Sequence, residues 1–338
     1  MNSRFGTRRQ LLAGAAALPV IATLGGIARS AHAQIPQQSK IILGFAPGGG
    51  ADLIARILAD KMREGLPAGT QIVVENKAGA GGKIAVEALR ASAADGGTML
   101  LAPLVTPVLS QLIFKNPGYN PATDMMPIGM VGHFQFALAV PPSHPAKTMA
   151  EFVTWLKANK EKANFGSPSP GSLPHFFGIM LGRAISVDMV HVAYKGGAPM
   201  LNDLMGGQIA CGMDTHIELI PLHQAGKIRI LASFADKRSA LIPDVPTMAE
   251  LGFKDATGSG WYSLWAPAKT PAATIAALNK ALNIALENAD VKEKLARTGT
   301  EPATSTPEGL EKFRLAEIEK WRPVIVASGF KANWPTRA

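Results

Sequence analysis

Four glycine-rich turns are the residues best placed to do chemistry in this chain. Phe45 and Pro47 precede Gly48, Gly49 and Gly50, with Asp52 two residues further on. Comparable turns occupy residues 77–83, 166–172 and 195–199. Each stands between an apolar run and a helical pattern. A turn of this kind lets the backbone approach a ligand closely, and the helix behind it offers free N–H groups at the positive end of its dipole. Anions bind such ends without an arginine. Taken singly, glycine before a helix is ordinary turn chemistry; several such turns at strand ends point to one anion-receiving crevice.

Catalytic constellations find little support. Residues 79–84 lack both the spacing and the hydroxyl of a phosphate-binding Walker loop, and no complete Gly-x-Gly-x-x-Gly follows a strand. Ser167 and Ser169 lie in a Gly/Pro loop but not in a Gly-x-Ser-x-Gly elbow. His216 and His223 stand seven apart, outside the i, i+4 spacing of a helical metal pair, so no metal site is expected. Cys211, the single cysteine, sits in an apolar strand, where packing is its expected role; one thiol excludes a disulfide framework.

These turns need a scaffold, and alternation supplies it. Residues 40–45 read as a buried strand, residues 51–64 as a helix with Ile54, Leu58 and Met62 on one stripe, and residues 71–75 as a second strand. A helix over 82–90 and a strand over 98–101 follow. The pattern restarts after Met126. The apolar stretch 128–140 is followed by Thr148 and Glu151 at capping-box spacing. Strands are then expected near 164–167, 189–194, 209–213 and 227–233, with helices between them. Thr270 and Pro271 open a helix carrying Ile275, Leu278, Leu282 and Leu286, and Thr306, Pro307 and Glu308 open the last. Such alternation implies largely parallel sheets covered by helices.

A chain of 338 residues that is 47% hydrophobic is long and apolar enough for two such cores. Its formal charge of +9 would ordinarily raise nucleic acid as a partner. Residues 1–33 change that reading. They hold Arg4, Arg8, Arg9 and Arg29 and no acid, then an Ala/Leu/Gly-rich run ending in Ala31, His32 and Ala33. Small residues at the first and last of these mark a signal-peptidase site, so the mature chain is expected to start at Gln34 and to work in the periplasm. The Arg8, Arg9 pair resembles a twin-arginine export signal, with Sec export the alternative. Removing the four arginines leaves +5, and the remaining cations are interspersed with acids. No basic run with interleaved aromatics appears, so no nucleic-acid partner is expected.

The residues also resemble a family. Pro47, Gly48 and Gly49 with Asp52, Ala55 and Arg56, then Val74, Glu75 and Asn76 with Gly79 to Gly82, are similar to the extracytoplasmic solute receptors called Bug (Bordetella uptake gene) proteins. These are the binding components of tripartite tricarboxylate transporters. The likeness continues through Asn164 to Ser167, His175, His191 to Gly196, Gly206 to Gln208, Pro243 to Thr247 and Ala266 with Pro267. It implies an α/β, type II periplasmic-binding-protein fold: two α/β lobes joined by crossing strands, with a ligand cleft between them. Lobe one is expected at 37–135 plus 262–338 and lobe two at 136–261, with 128–140 and 261–267 as the crossings.

The resemblance further implies a monomeric receptor without cofactor or metal. It would capture a small organic carboxylate and pass it to integral-membrane transporter subunits or to a sensor. Phe45, Pro47, Gly48 and Gly49 would line one wall of the cleft, with Asp52 shaping the first loop. Thr106 matches a polar position after the third strand, and Ser167, Ser172 and His175 belong to the facing loop. Asp214 follows the strand ending at Met213. For Asp52 and Asp214 two readings stand: capping of their own loops, or accepting from a ligand hydroxyl or ammonium. Residues 102–107 depart from the family, because two hydrogen-bonding positions are apolar or proline here, which favours a less polar or aromatic carboxylate over citrate or an amino acid. The rival class is an exported α/β hydrolase or transferase using Ser167 or His175.

Overall fold

The computed structural model describes residues 35–331 except Ala46, Ala80, Gly81 and Lys195. The export segment read above lies outside them, as does Lys195.

The first run of elements is β1 (Gln38–Leu43), α1 (Gly50–Met62), β2 (Gln71–Asn76), α2 (Lys83–Arg90) and β3 (Thr98–Pro103). A π-type turn (Val105–Leu109) leads into the short α3 (Ser110–Ile113), followed by α4 (Pro121–Asp124) and β4 (Met125–Phe134). The second run is β5 (Phe136–Val140), α5 (Met149–Ala158), β6 (Asn164–Ser167), α6 (Leu173–Ile185), β7 (Val190–Ala193), α7 (Gly197–Met205), β8 (Cys211–Thr215), α8 (His216–Gln224) and β9 (Arg229–Ser233). The chain then returns through β10 (Gly260–Pro267), α9 (Ala272–Glu287), α10 (Ala289–Arg297), β11 (Thr300–Pro302) and α11 (Pro307–Ser328).

The strands form two sheets, ordered β11-β4-β10-β3-β1-β2 and β7-β6-β8-β5-β9. In the first, β1 pairs parallel with β2 and β3, and β10 inserts antiparallel between β3 and β4. In the second, β6 pairs parallel with β7 and β8, and β5 inserts antiparallel between β8 and β9. Each sheet thus accepts one strand whose chain continues to or from the other lobe. The strand order reverses at β1 in one sheet and at β6 in the other, which opens a crevice at the carboxyl ends where ligands enter open α/β sheets.

The apolar stretch 128–140 is two strands in two sheets, separated by Gln135 alone. Its thirteen residues read as one run because both sheets are covered on both faces, so the two strands are apolar here except at His133. The second crossing differs from the sequence expectation. Residues 261–267 lie wholly within β10 of the first sheet, and the return passage is the irregular segment 234–259. Trp261 and Trp265 are buried on strand β10, which is why that segment carries the apolar signal.

Several helix ends form as their sequences dictate. Thr148 Oγ1 accepts from the Glu151 N–H at 3.2 Å, while Glu151 Oε2 accepts from the Lys147 N–H at 2.7 Å. Thr306 Oγ1 accepts from the Gly309 N–H at 2.9 Å, with Pro307 as the first helical residue. The charged segment containing Lys292, Glu293 and Lys294 is α10, whose inward stripe is Val291 and Leu295. Strand β11 is three residues long and has no sequence signature.

Side chains on β1 show how the layers are glued. Ile41 and Leu43 face α1 and α9, packing with Ile54, Leu58, Leu278 and Leu282, whereas Ile42 faces α2 and packs with Val86 and Leu89. In the second lobe Ala137 and Ala139 face α7 and α8, and Leu138 and Val140 join the layer of α5 and α6. The core containing Ile42 is continuous from the first lobe into the second, through Trp261 and Trp321 to Phe177 and Phe165. On the opposite face the α1–α9 core and the α7–α8 core are separate. Among the described residues no helix is long and apolar enough to cross a membrane.

Candidate functional site

The β1–α1 turn is held by one carboxylate. Asp52 Oδ2 accepts from the Gly48 N–H at 3.0 Å and from Arg56 Nε at 3.0 Å. Its Oδ1 accepts from Arg56 Nη2 at 3.1 Å and from Asn76 Nδ2 at 2.9 Å, and that amide also donates to the Phe45 carbonyl. Arg56 foremost, then the Gly48 and Asn76 donors, outweigh burial and hold Asp52 down at about 2, against the ordinary 3.8. Gly48 takes the left-handed conformation, φ +86°, so that its N–H turns toward the carboxylate. The side chain is therefore occupied by its own loop and by β2.

Because this pairing favours the ionised form, its stabilisation is present above pH 3.8 and is lost as the pH falls through about 2. The gap corresponds to about 2 kcal/mol at 1.36 kcal/mol per pH unit. Asp52→Ala is expected to lower stability at pH 7 by about 2–3 kcal/mol, read as a thermal midpoint lower by about 3–5 °C in calorimetry. An unchanged midpoint at pH 7 would show that the loop stands without its clamp.

Two connected chambers lie between the lobes. The larger, about 350 Å³, is walled mainly by Phe45, Leu104, Val105, Ile113, Phe136 and Leu173, with Ser169 and Ser172 at its α6 end. The smaller, about 200 Å³, is bounded by Gly50 and Ile54 of α1, Gly197 of α7, Gln135 at the crossing, Glu218 of α8 and residues 298–300. Phe134, Asp214, Thr215 and Tyr262 line both. The smaller chamber is thus met by the first residues of two helices, α1 and α7, and neither helix has a side-chain cap on its N–H groups. Unused donors and two positive dipole ends make it an anion-receiving space.

It also holds unsatisfied polar atoms. Asp214 Oδ2, Thr215 Oγ1 and Gln135 Oε1 are buried and have no hydrogen-bond partner among the described residues. Asp214 is 4% exposed, and its other oxygen accepts from the Thr215 N–H at 2.8 Å. Burial first, with the Glu218 charge adding to it, pushes its carboxyl up to about 7. Buried polar groups without partners are rare in folded proteins, and three of them belong to residues lining this one chamber.

Of the ten residues singled out from sequence, Phe45, Ser172 and Asp214 line the chambers. Pro47, Gly48, Gly49 and Asp52 sit behind Phe45 in the turn. Thr106 is buried, and its carbonyl accepts from Ser110 Oγ and Tyr119 Oη. Ser167 is fully buried; its Oγ lies 2.7 Å from His191 Nε2 and donates to the Ser169 carbonyl at 3.2 Å. The His175 ring stacks on His191 with centroids 3.9 Å apart, and its Nδ1 accepts from the Gly171 N–H at 3.1 Å. Burial, then the neighbouring His191, lowers His175 to about 4, so the ring is neutral and props the loop ahead of α6. Burial also pushes the Cys211 thiol up, in keeping with a packing role.

Gln135, Thr215 and Tyr262 were not among the sequence candidates, whereas Gly197 lies in the fourth glycine-rich turn read from sequence. Gln135 had a signal, as an uncharged polar residue inside an apolar stretch. Thr215 immediately follows Asp214. Tyr262 had none, since β10 reaches the cleft only through its pairing with β3 and β4.

Comparison with known proteins agrees with this architecture. A family model described as TctC, tripartite tricarboxylate transporter family receptor, matches residues 54–330. Protein BugT of Bordetella pertussis is 32% identical over 297 residues, covering 86% of this chain and 89% of BugT. The structure of the periplasmic binding protein BugD is 31% identical, with a TM-score of 0.74 over 87% of this chain and 98% of BugD. R. palustris Rpa4515, solved with adipate, is 29% identical, with a TM-score of 0.77 over 88% of this chain and 98% of that one.

Proposed function

Because the chain belongs to the tripartite tricarboxylate transporter receptor family, we propose that its cleft captures a small organic carboxylate with an apolar carbon body. The carboxylate sits in the smaller chamber against the α1 and α7 termini, and the carbon body fills the larger one. The observation that carries this reading is the pairing of an apolar chamber with a polar one through shared walls. Leu104 and Val105, on the segment where the family carries hydrogen-bonding positions, make the larger chamber apolar. Adipate, bound by the relative Rpa4515, has this character: a methylene chain between carboxylates. Citrate, with polar groups on almost every carbon, does not.

The receptor works in the periplasm after residues 1–33 direct export, by the twin-arginine route, and are cleaved after Ala33. It hands the solute to membrane subunits of a tripartite transporter or to a sensor, and performs no chemistry on it. Supporting the last point, Ser167 is fully buried, and neither it nor His175 lines a chamber. The Ser167–His191 contact alone favours a hydrolase, and ester turnover lost in Ser167→Ala would replace the receptor reading.

Calorimetry of the mature protein with adipate, hexanoate, benzoate, malate and citrate tests the assignment. Saturable binding is expected for an apolar-bodied carboxylate and weaker binding, or none, for citrate. Tight citrate binding without response to the others would sink it. Mass spectrometry of solute released from the freshly purified protein by gentle denaturation should identify the occupant directly.

A further inference from the structure

Resting on the carboxylate-receptor reading, we propose that Asp214 binds as the neutral acid, donating its carboxyl proton to a ligand carboxylate oxygen, so that capture is favoured by falling pH. Asp214, which lines the smaller chamber, uses Oδ1 for the Thr215 N–H, while its Oδ2 is buried and unpartnered beside the first residue of α7. A β-carbon placed on Gly197 would stand 2.7 Å from Oδ2, which fixes how near this oxygen lies to the helix terminus that draws an anion. No cation among the described residues forms an ion pair with Asp214.

Among the described residues, the titratable groups around it supply no compensating charge. Glu218, on α8, lines the same chamber and adds negative charge. His216, which opens that helix, is lowered to about 4 by burial and pairs with Ser233 Oγ, so it stays neutral. Tyr262, on β10, is pushed up to about 12 by burial and is neutral too. A second carboxylate entering this space cannot sit beside an ionised Asp214 without strong repulsion, and one proton shared between the two carboxyls removes it. The proton starts on Asp214 Oδ2 and lies, in the complex, between that oxygen and the ligand. Above about pH 7, where free Asp214 ionises, binding must draw one proton from solvent.

Titration calorimetry with adipate, hexanoate and benzoate from pH 5.5 to 8.5 tests this, each run in two buffers of different ionisation enthalpy. Affinity for the tightest-binding probe is expected to be level below about pH 7 and to fall about tenfold per pH unit above it, with uptake approaching one proton. Asp214→Asn keeps a donor at every pH and should flatten the profile. Glu218→Gln removes the nearby charge and should move the break to lower pH. A flat profile in the native protein overturns the proposal. So does affinity that rises with pH and belongs to malate, since that is the behaviour of an ionised Asp214 accepting from a hydroxyl. Failure of every probe at every pH overturns the carboxylate reading beneath it.

Discussion

Gly197→Val is expected to weaken carboxylate binding at least 100-fold while leaving the fold intact. Gly197 is the first residue of α7 and borders the smaller chamber. Its missing side chain is what lets Asp214 Oδ2 lie against the helix terminus, because a β-carbon there would come within 2.7 Å of that oxygen. Valine pushes the carboxyl aside, and its methyl groups occupy part of a chamber of about 200 Å³. The N–H groups at the start of α7 are then screened from an incoming carboxylate. A loss of 100-fold is about 2.7 kcal/mol, which is the combined scale of one helix-terminus interaction and one charged hydrogen bond. Alanine, with the β-carbon alone, should lose about tenfold. The fold tolerates both, since a β-branched residue at a helix start costs under about 1 kcal/mol. Calorimetric affinities beside circular dichroism check this, and native affinity in the valine variant would move the carboxylate out of this chamber.

The largest effect on stability is expected at Glu317. This α11 residue is 8% exposed, and its Oε2 accepts from Trp261 Nε1 at 3.3 Å and Trp321 Nε1 at 3.2 Å. Both indoles are fully buried, and both stand in the core that runs through the two lobes. One carboxylate oxygen therefore satisfies two indole N–H groups that have no route to water. Glu317→Leu leaves both unpaired, at about 1–3 kcal/mol each, so a total loss of about 3–5 kcal/mol is expected. Glu317→Gln, which keeps an acceptor oxygen, should recover more than half of it. Urea unfolding followed by tryptophan fluorescence reads this as a lower midpoint at unchanged slope. A leucine variant as stable as the native protein would mean that the indoles find other acceptors.

Much of the architecture was legible because local and global signals agree. Most parallel strands carry a short apolar run, the helices that follow carry apolar stripes, and several intervening turns are rich in glycine. The Thr148 and Thr306 caps were visible as spacings. The second crossing was not: residues 234–259 are irregular, and the strong apolar signal belonged to β10, the strand that follows. At the site the legible part was the turns. Phe45 and Ser172 reach the cleft because a glycine-rich turn carries each one there. Asp52 read two ways from sequence, since Arg56 is its helical neighbour but Asn76 arrives from β2 through sheet pairing. Gln135 and Tyr262 belong to the site only through contacts between distant segments, and no local pattern announces those.

The unequal sharing of the two cores sets how a bound solute departs. On one face the lobes are welded by buried aromatics: Phe177 of the second lobe, itself stacked on Phe234 at 4.1 Å, stands edge-on to Trp321 of the first at 5.9 Å. On the other, the described contacts between lobes include Gly299 against Ile217 and the exposed Lys237–Glu301 pair. Such exposed pairs contribute little. Parting the lobes at that thin seam is expected to cost far less than tearing the aromatic weld, as in a book bound along one spine. Trimming Ile217 or Lys237 is therefore expected to shorten the residence time of a bound carboxylate in stopped-flow measurements, whereas substitutions in the spine should lower stability instead.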